Sequence, residues 1–254
     1  MPQQILVVCP LVFFASLVDS IAGGGGLISL PAYYLTGMDS HFAIASNKFS
    51  SSVGTAFSTE RFLKSGNLNL RVSVVSAAAA LIGSLIGARL ALILEDRFLR
   101  ILMLILLPVV SAAVLCRRKD GRGQENRFDR VPKRLALFWS LVLGFFLGAY
   151  DGFFGPGTGT FLILGYVSLL RFDYKTACGN AKVVNLTSNL AALVTFVAAG
   201  KIQYLVAVPA ALCAAAGHWI GAGLAIRSGE KFIRPVMVFA LALLFGKITW
   251  DFFF

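Results

Sequence analysis

In the stretch Asp19-Ser-Ile-Ala-Gly-Gly-Gly-Gly-Leu-Ile-Ser-Leu-Pro31, four consecutive glycines, residues 23–26, interrupt an otherwise apolar run. Glycine is a poor helix former and allows backbone segments to approach closely, so a helix should break here. In lipid such a break is tolerated only where protein or a polar cavity covers the freed backbone groups. The alternative is a tight helix crossing that uses the small residues.

The same pattern recurs in the second half of the chain, in the stretch Asp151-Gly-Phe-Phe-Gly-Pro-Gly-Thr-Gly-Thr-Phe-Leu162. This stretch aligns with residues 19–30 at an offset of 132, and after a two-residue slip Lys48 aligns with Lys182 at an offset of 134. The chain is therefore predicted to be a tandem repeat. Two glycine-interrupted segments at corresponding places in two halves point to the binding site of a transporter.

The composition predicts an integral membrane protein. Hydrophobic residues make up 57% of the 254 residues and charged residues 14%, and the mean hydropathy is +0.80. A soluble protein of this length could not bury so much apolar surface. The net charge of +11 does not indicate nucleic-acid binding, because many basic residues crowd into residues 117–134 and form a topology signal. The four cysteines are scattered and predict no metal site.

We predict an all-α polytopic membrane protein in which each half is a glycine-broken hairpin followed by three transmembrane helices. As one helix, residues 5–36 would be about 48 Å long, against a hydrocarbon core of about 30 Å. They are therefore predicted to form two half-helices, in a re-entrant hairpin or a broken span. The first polar segment, residues 43–62, carries too many Ser and Thr side chains for a lipid-facing helix. The other predicted segments are a second hairpin at 135–170, a polar segment at 176–199, and helices at 72–94, 98–115, 203–226 and 232–250.

The domain boundaries follow from the repeat: residues 1–116 form the first repeat, 117–134 a basic cytoplasmic linker and 135–254 the second repeat. If each hairpin returns to the side that it entered, the two halves are inverted. Nearly all basic loop residues then lie in the cytoplasm, and the external ones are Arg97, Arg100 and Lys201. The positive-inside rule favours this arrangement, with both termini outside.

Lys48 and Lys182 lie near the starts of the two polar segments. A cation at membrane depth is a functional hypothesis by default, and the alternative is a lysine that extends to the membrane interface. The broken hairpins add free backbone N–H groups and helix N-termini, which favour anions. We therefore predict a cage for a small oxyanion. The candidate substrate-binding residues are Gly23, Gly24, Gly25, Gly26, Asn47, Lys48, Ser51, Gly155, Gly157, Thr158, Asn180, Lys182 and Asn185.

Asp19 and Asp151 are candidates for a proton-coupling group, because each acid lies directly beside a predicted helix break. The alternative role is capping of the half-helix that begins at the glycines. His218 lies beside Trp219 in a helix rich in small residues and is interpreted as a core histidine.

Beside the glycine stretch after Asp19, three further motifs are Ala45-Ser-Asn-Lys48, Gly83-Ser-Leu-Ile-Gly-Ala-Arg89 and Gly155-Pro-Gly-Thr-Gly159. Together they resemble the TauE/SafE-type sulfite exporter family of bacterial membrane permeases, over nearly the whole chain. The resemblance implies transport of sulfite, organosulfonates or related small sulfur-containing anions through the bacterial cytoplasmic (inner) membrane. The second half departs from the first at Cys178-Gly-Asn-Ala-Lys182, which has one more residue before its lysine.

The predicted function is a secondary transporter rather than an enzyme, with no catalytic residues, no cofactor and no metal. Its expected partners are a small anionic substrate and the lipid bilayer, without nucleic acid. An anion channel is the closer alternative. An intramembrane aspartyl protease is the remoter one, since no Gly-x-Gly-Asp precedes either acid. The sequence leaves open whether the protein forms an oligomer, which anion it carries and in which direction.

Overall fold

The computed structural model describes residues 2–115 and 125–228. Linker residues 117–124 and the helix predicted at 232–250 lie outside the described residues. Within the described ranges the structure has helices and no strands, which confirms an all-α protein. A short 3-10 helix, Phe128–Arg130, precedes α6. The α-helices are α1 (Pro2–Ala22), α2 (Gly26–Tyr34), α3 (Ser40–Lys64), α4 (Leu70–Ile93), α5 (Asp96–Leu115), α6 (Lys133–Phe153), α7 (Thr158–Leu169), α8 (Tyr174–Ala198) and α9 (Tyr204–Ser228).

Five of the described helices, α1, α4, α6, α8 and α9, are long and apolar enough to cross a membrane. The protein is therefore a multi-pass membrane protein. Helix α3 is as long as α8 but carries many hydroxyl side chains, most of which are buried. The polar segment of the first half thus packs inside the protein rather than against lipid, as its composition predicts.

Each glycine break produces a helical hairpin whose two ends lie side by side. The Gln4 side chain near the start of α1 donates a hydrogen bond to the Thr36 carbonyl after α2, at 3.1 Å. In the second hairpin, the rings of Phe128 and Phe172, before α6 and after α7, stack at 4.4 Å. Each hairpin therefore ends close to the place where it begins.

The first arm of each hairpin is longer than the second. Helices α1 and α6 both have 21 residues, whereas α2 has 9 and α7 has 12. Helix α1 continues past the apolar residues through Asp19 and Ser20 and ends at the first glycine. It can do so because both polar side chains have partners within the protein, Lys182 for Asp19 and His218 for Ser20.

The described helices form two groups that each combine both halves of the sequence. In the first group α9 packs against α1 and α3, and in the second α4 packs against α6 and α8. We include α2 in the first helix group and α7 in the second, according to their neighbours. Glycines allow the close contacts: a Cβ at Gly83 would lie 2.2 Å from the Phe145 carbonyl oxygen, and one at Gly217 would lie 2.4 Å from the Phe13 carbonyl oxygen.

Candidate functional site

The two glycine breaks contact each other. Gly23 has a φ of +75°, and a Cβ at this position would lie 2.2 Å from the Gly159 carbonyl carbon. Thr160 bonds across the contact, from its backbone N–H to the Gly23 carbonyl at 3.1 Å and from its hydroxyl to the Ala22 carbonyl at 2.7 Å. Only glycine combines this backbone angle with so close an approach. The glycine run of the first half is thus required to join the two hairpins.

Helices α2 and α7 both begin at this junction, with Gly26 and Thr158 as their first residues. Both residues line one cavity, so the N-terminal ends of two helices border the same space. A helix N-terminus carries a partial positive charge and free N–H groups, which attract anions. At the α2 end, the Gly25 N–H donates to the Asp19 carboxylate at 3.2 Å. Asp19 therefore makes the contact expected of a cap in addition to its ion pair.

Two buried ion pairs connect the halves crosswise. Lys48 on α3 pairs with Asp151 on α6, with 3.0 Å between Nζ and Oδ2. Lys182 on α8 pairs with Asp19 on α1, with 2.6 Å between Nζ and Oδ2, and it also donates to the Asp19 carbonyl at 2.5 Å. Each lysine thus bonds to the acid of the other half, and each pair bridges the first and second helix groups.

Both lysines lie inside the protein rather than at a membrane interface. The exposed fraction is 2% for Lys48 and 0% for Lys182. Lys48 Nζ also donates to Asn189 Oδ1 at 3.0 Å, which leaves one of its three hydrogens for another acceptor. The alternative of lysines that extend to the interface therefore does not describe these side chains.

The cavity has a volume of about 40 Å³. A single water needs about 10–15 Å³ by this measure, so the space corresponds to a few waters or one small oxyanion. It brings together most of the residues predicted from the sequence. These are Asp19, Gly23, Gly25, Gly26, Asn47, Lys48, Ser51, Asp151, Gly155, Thr158 and Asn185.

Four predicted site residues, among them Gly24, are not in the cavity wall. Lys182 lies behind Asp19, to which it is bonded. Asn180 accepts hydrogen bonds from the Asn69 N–H and the Ser73 hydroxyl, at 2.8 and 2.7 Å, and so holds α8 against the start of α4. Gly157 lies against α5, where a Cβ would be 2.5 Å from Val110 Cγ1.

The wall also contains residues that were not predicted: Ala15, Ser16, Ser29, Thr55, Gly159, Asn189 and His218. Helical spacing could have identified two of them, because Thr55 lies four residues after Ser51 and Asn189 four residues after Asn185. The offset of 134 also aligns these two pairs with each other. The signal for Thr55 and Asn189 was therefore present in the sequence.

Two amide side chains in the wall have unused hydrogen-bonding capacity. Asn47 and Asn185 are 7% and 5% exposed, and their Oδ1 atoms are buried without a hydrogen-bond partner among the described residues. Buried polar groups normally have partners. Both oxygens are acceptors and are therefore available to a bound donor, such as a water molecule.

His218 on α9 is 2% exposed and contacts both α1 and α3. Its Nδ1 lies 2.8 Å from Ser20 Oγ and 3.2 Å from Ser58 Oγ. Its Nε2 lies 3.9 Å from Asp19 Oδ2, which is too far for a hydrogen bond. The ring is thus held by two hydroxyls on one side and borders the cavity on the other.

The full charges that the described residues contribute around the cavity cancel. Lys48, Asp19 and Asp151 lie in the wall, and Lys182 contacts Asp19 from behind, so two ammonium groups match two carboxylates. An aspartyl protease dyad requires two acids that share a proton. Asp19 and Asp151 instead each pair with a lysine. Within the described residues no group of three or more metal-ligating side chains is present.

The sequence matches the family described as Sulfite exporter TauE/SafE over residues 8–248. It is 32% identical to the probable membrane transporter protein YfcA of Escherichia coli K12, over 93% of this chain and 86% of the relative. It is 34% identical to a probable membrane transporter protein of Haemophilus influenzae, over 94% of this chain and 92% of the relative. A probable membrane transporter protein, ORF9, of a Sinorhizobium species is 32% identical, over 94% and 90%. No solved structure matches the chain significantly.

Proposed function

Because this chain belongs to the TauE/SafE family of membrane transporters, we propose that it is a secondary transporter that moves a small sulfur-containing oxyanion, such as sulfite, across the bacterial cytoplasmic membrane. The observation that carries the proposal is the buried Lys48 ammonium in the wall of a small cavity bordered by the N-termini of α2 and α7. This combination suits a small anion, because Lys48 keeps one hydrogen for a further acceptor beside its bonds to Asp151 and Asn189, and both helix N-termini attract negative charge.

The anion in this proposal binds between the two glycine breaks. Lys48 offers its third hydrogen, and the Ser51 hydroxyl and the Nδ2 groups of Asn47 and Asn185 are donors in the same wall. Charge-assisted hydrogen bonds to an oxyanion are stronger than neutral ones, so Lys48 is the principal contact. The volume of about 40 Å³ favours an anion of a few heavy atoms, such as sulfite, over a long organosulfonate.

The proposal includes an inverted tandem repeat. Equivalent contacts support the repeat, because Gly83 contacts Phe145 and Gly217 contacts Phe13. Gly217 lies 134 residues after Gly83, and Phe145 lies 132 residues after Phe13, which are the two offsets seen in the sequence. Positive φ angles at Gly23 and Gly155 follow the same equivalence. Each hairpin ends beside its own start, which supports the inversion because such a hairpin adds no net crossing of the membrane. Three predicted spans then remain in each half, and an odd number of crossings inverts the second half relative to the first.

Alternating access then requires the two helix groups to move relative to each other. The pairs Lys48–Asp151 and Lys182–Asp19 both bridge these groups. An anion that approaches Lys48 competes with Asp151 for the same ammonium and so weakens one of the two bridges. Binding of the substrate would thereby be linked to movement of the groups, which is the requirement for a carrier.

Coupling to protons is the second part of the proposal. Since the charges of the wall already cancel, an entering monoanion leaves the buried site with an excess negative charge, which burial makes unfavourable. Uptake of one proton with each anion removes the excess. Asp19 and Asp151, the two carboxylates of the wall, remain the candidates predicted from the sequence.

The test is uptake of radiolabelled sulfite by proteoliposomes that contain the purified protein. We expect saturable uptake, and accumulation of label against unlabelled internal sulfite in a counterflow experiment. An anion channel would conduct sulfite without counterflow. The absence of any sulfite, thiosulfate or sulfonate flux, from protein that remains monodisperse, would contradict the proposed function.

A further inference from the structure

Among the described residues, His218 is the one titratable group in the cavity wall that neither the proposed repeat nor the ion pairs explain. The residue aligned with it at the offset of 134 is Ser84, so the second half of the sequence alone contributes a histidine here. A Cβ at Gly54 of α3 would lie 2.3 Å from the His218 ring, so the imidazole is packed in one orientation. Its position is therefore fixed with Nε2 towards Asp19, which lines the cavity together with His218.

The hydrogen bonds around the ring indicate where its hydrogen lies. Ser20 Oγ lies 3.0 Å from the His218 carbonyl and Ser58 Oγ 3.0 Å from the Thr55 carbonyl, and each hydroxyl has a single hydrogen to donate. If both hydroxyls donate to these carbonyls, they can only accept from the ring. A hydrogen on Nδ1 then satisfies every contact at once, and the lone pair of a neutral imidazole is on Nε2.

That lone pair faces charged groups from each neighbouring helix. Asp19 of α1 is 3.9 Å away, Lys182 of α8 is bound to that carboxylate, and Lys48 of α3 and Asp151 of α6 lie in the same wall. A proton on Nε2 would lie beside the Asp19 carboxylate in the cavity wall. No hydrogen bond among the described residues has to break for it to bind there.

The two carboxylates are less suited to the same proton. Asp19 already accepts from Lys182 and from the Gly25 N–H, and Asp151 Oδ2 already accepts from Lys48 and from the Ser188 hydroxyl at 2.5 Å. Protonation of either acid would weaken an ion pair between the helix groups. Protonation of Nε2 instead adds a positive charge beside Asp19 and does not itself break either ion pair.

We propose that His218 is the proton-binding site of the transporter, and that Nε2 takes up one proton from solvent when an anion enters the cavity. The proposal rests on the proposed function, since the anion supplies the negative charge that the imidazolium balances. One N–H bond forms on Nε2, the Nδ1–H remains, and the site gains one positive charge for each anion that binds. The imidazolium thus offsets one negative charge of the anion, which is the whole charge of hydrogen sulfite and half that of the sulfite dianion, without a change at either aspartate.

The chain offers a direct test, because it contains only two histidines, His41 and His218. Protein labelled with nitrogen-15 in the imidazole rings gives two sets of ring nitrogen signals, and a His41→Gln variant assigns them. At about pH 8, where an unperturbed histidine is mainly neutral, we expect the Nδ1–H tautomer of His218 without sulfite. Saturation with sulfite should convert it to the doubly protonated form, while His41 stays unchanged.

Three outcomes would overturn the proposal. Sulfite binding measured by calorimetry on the same sample, with His218 still neutral, would overturn it and leave the proposed function intact. A hydrogen on Nε2 before sulfite is added would place the free lone pair against Ser20 and Ser58, away from the cavity, and would also overturn it. Failure of sulfite to bind at all would overturn the proposed function and the proton site together.

A variant gives a second, independent measurement. His218→Gln should still bind sulfite. Its affinity should change less steeply with pH than that of the unmodified protein, by a factor of up to about ten per pH unit, which is the effect of one linked proton. The titration of sulfite itself is common to both proteins, so the difference in slope belongs to the histidine. Thr187→Val on α8, outside the cavity wall, is the matched control and should keep the original slope. Equal slopes in all three proteins would contradict the proposal.

Discussion

Removal of the Lys48–Asp151 pair as a unit should weaken sulfite binding about ten- to a hundredfold and leave the protein folded. The Lys48→Gln/Asp151→Asn double variant keeps the net charge and replaces both side chains by amides of similar shape. Loss of one charge-assisted hydrogen bond to the anion corresponds to about 1.5–3 kcal/mol, and hence to that change in affinity.

The double variant is preferable to Lys48→Gln alone because of the burial of the pair. The Lys48 and Asp151 side chains are 3% and 7% exposed, so removal of the lysine alone would leave an uncompensated buried carboxylate. Such a change typically destabilises a protein by about 3–5 kcal/mol. A loss of binding in the single variant would then be confused with a loss of folding.

The assay is isothermal titration of the purified variants with sulfite, after size-exclusion chromatography and thermal unfolding have established that each is monodisperse and folded. The matched control is Lys64→Gln/Glu60→Gln, which removes an ion pair from the same helix α3. That pair is exposed, at 70% and 48%, so we expect unchanged affinity and a stability change of at most about 1 kcal/mol.

The second buried pair makes the test specific. Lys182 lies behind Asp19 rather than in the cavity wall, so Lys182→Gln/Asp19→Asn should reduce sulfite affinity less than the Lys48 variant does. An equal or larger reduction at the Lys182 pair would refute the reasoning. So would unchanged affinity in the folded Lys48 variant.

Three further predictions follow from the same geometry. Gly37→Ala places a Cβ at a positive φ of 76° in open space and should destabilise the protein by about 1–2 kcal/mol. Gly23→Ala adds an overlap with Gly159 to the same backbone strain and should lower the thermal unfolding temperature clearly more. Equal shifts of the unfolding temperature would contradict the contact between the breaks. In the inverted arrangement, Ser65→Cys should react with impermeant maleimide only from the cytoplasmic side and Lys201→Cys only from outside, and the reverse pattern at both positions would contradict it. High chloride should weaken sulfite binding competitively if the cavity is a general anion cage, and salt-independent titrations would argue for a site selective for oxyanions.

The sequence was sufficient to predict the breaks, the buried lysines and most of the cavity wall. Glycine runs predict helix breaks and lysines at membrane depth predict functional sites from the residue type alone, and the offsets of 132 and 134 show which residues of the two halves align. Thr55 and Asn189 were missed although helical spacing from Ser51 and Asn185 would have identified them.

The partners of the charged residues could not be predicted. Lys48 meets Asp151 and Lys182 meets Asp19 because helices from the two halves cross, and no local pattern encodes such a contact. The interpretation of His218 as an ordinary core histidine was incomplete for the same reason. Only the packing of α9 against α1 and α3 brings its ring to the cavity.

The length of the first hairpin arm depended on the same unseen contacts. Polar side chains such as those of Asp19 and Ser20 would be unfavourable inside the membrane if they had no partner. Their pairing with Lys182 and His218 removes that penalty and lets α1 continue to Gly23. A tertiary contact thus decides where a local element ends.

The most direct test of the anion site is anomalous diffraction from crystals of this protein soaked in selenite, an oxyanion of the same shape as sulfite that carries a strong anomalous scatterer. We predict one dominant selenium peak in the cavity between the two glycine breaks, within hydrogen-bonding reach of the Lys48 ammonium. The peak should be lost in the Lys48→Gln/Asp151→Asn variant. Selenium peaks confined to the membrane interface or to the basic loops, with none in the cavity of well-diffracting crystals, would contradict the account.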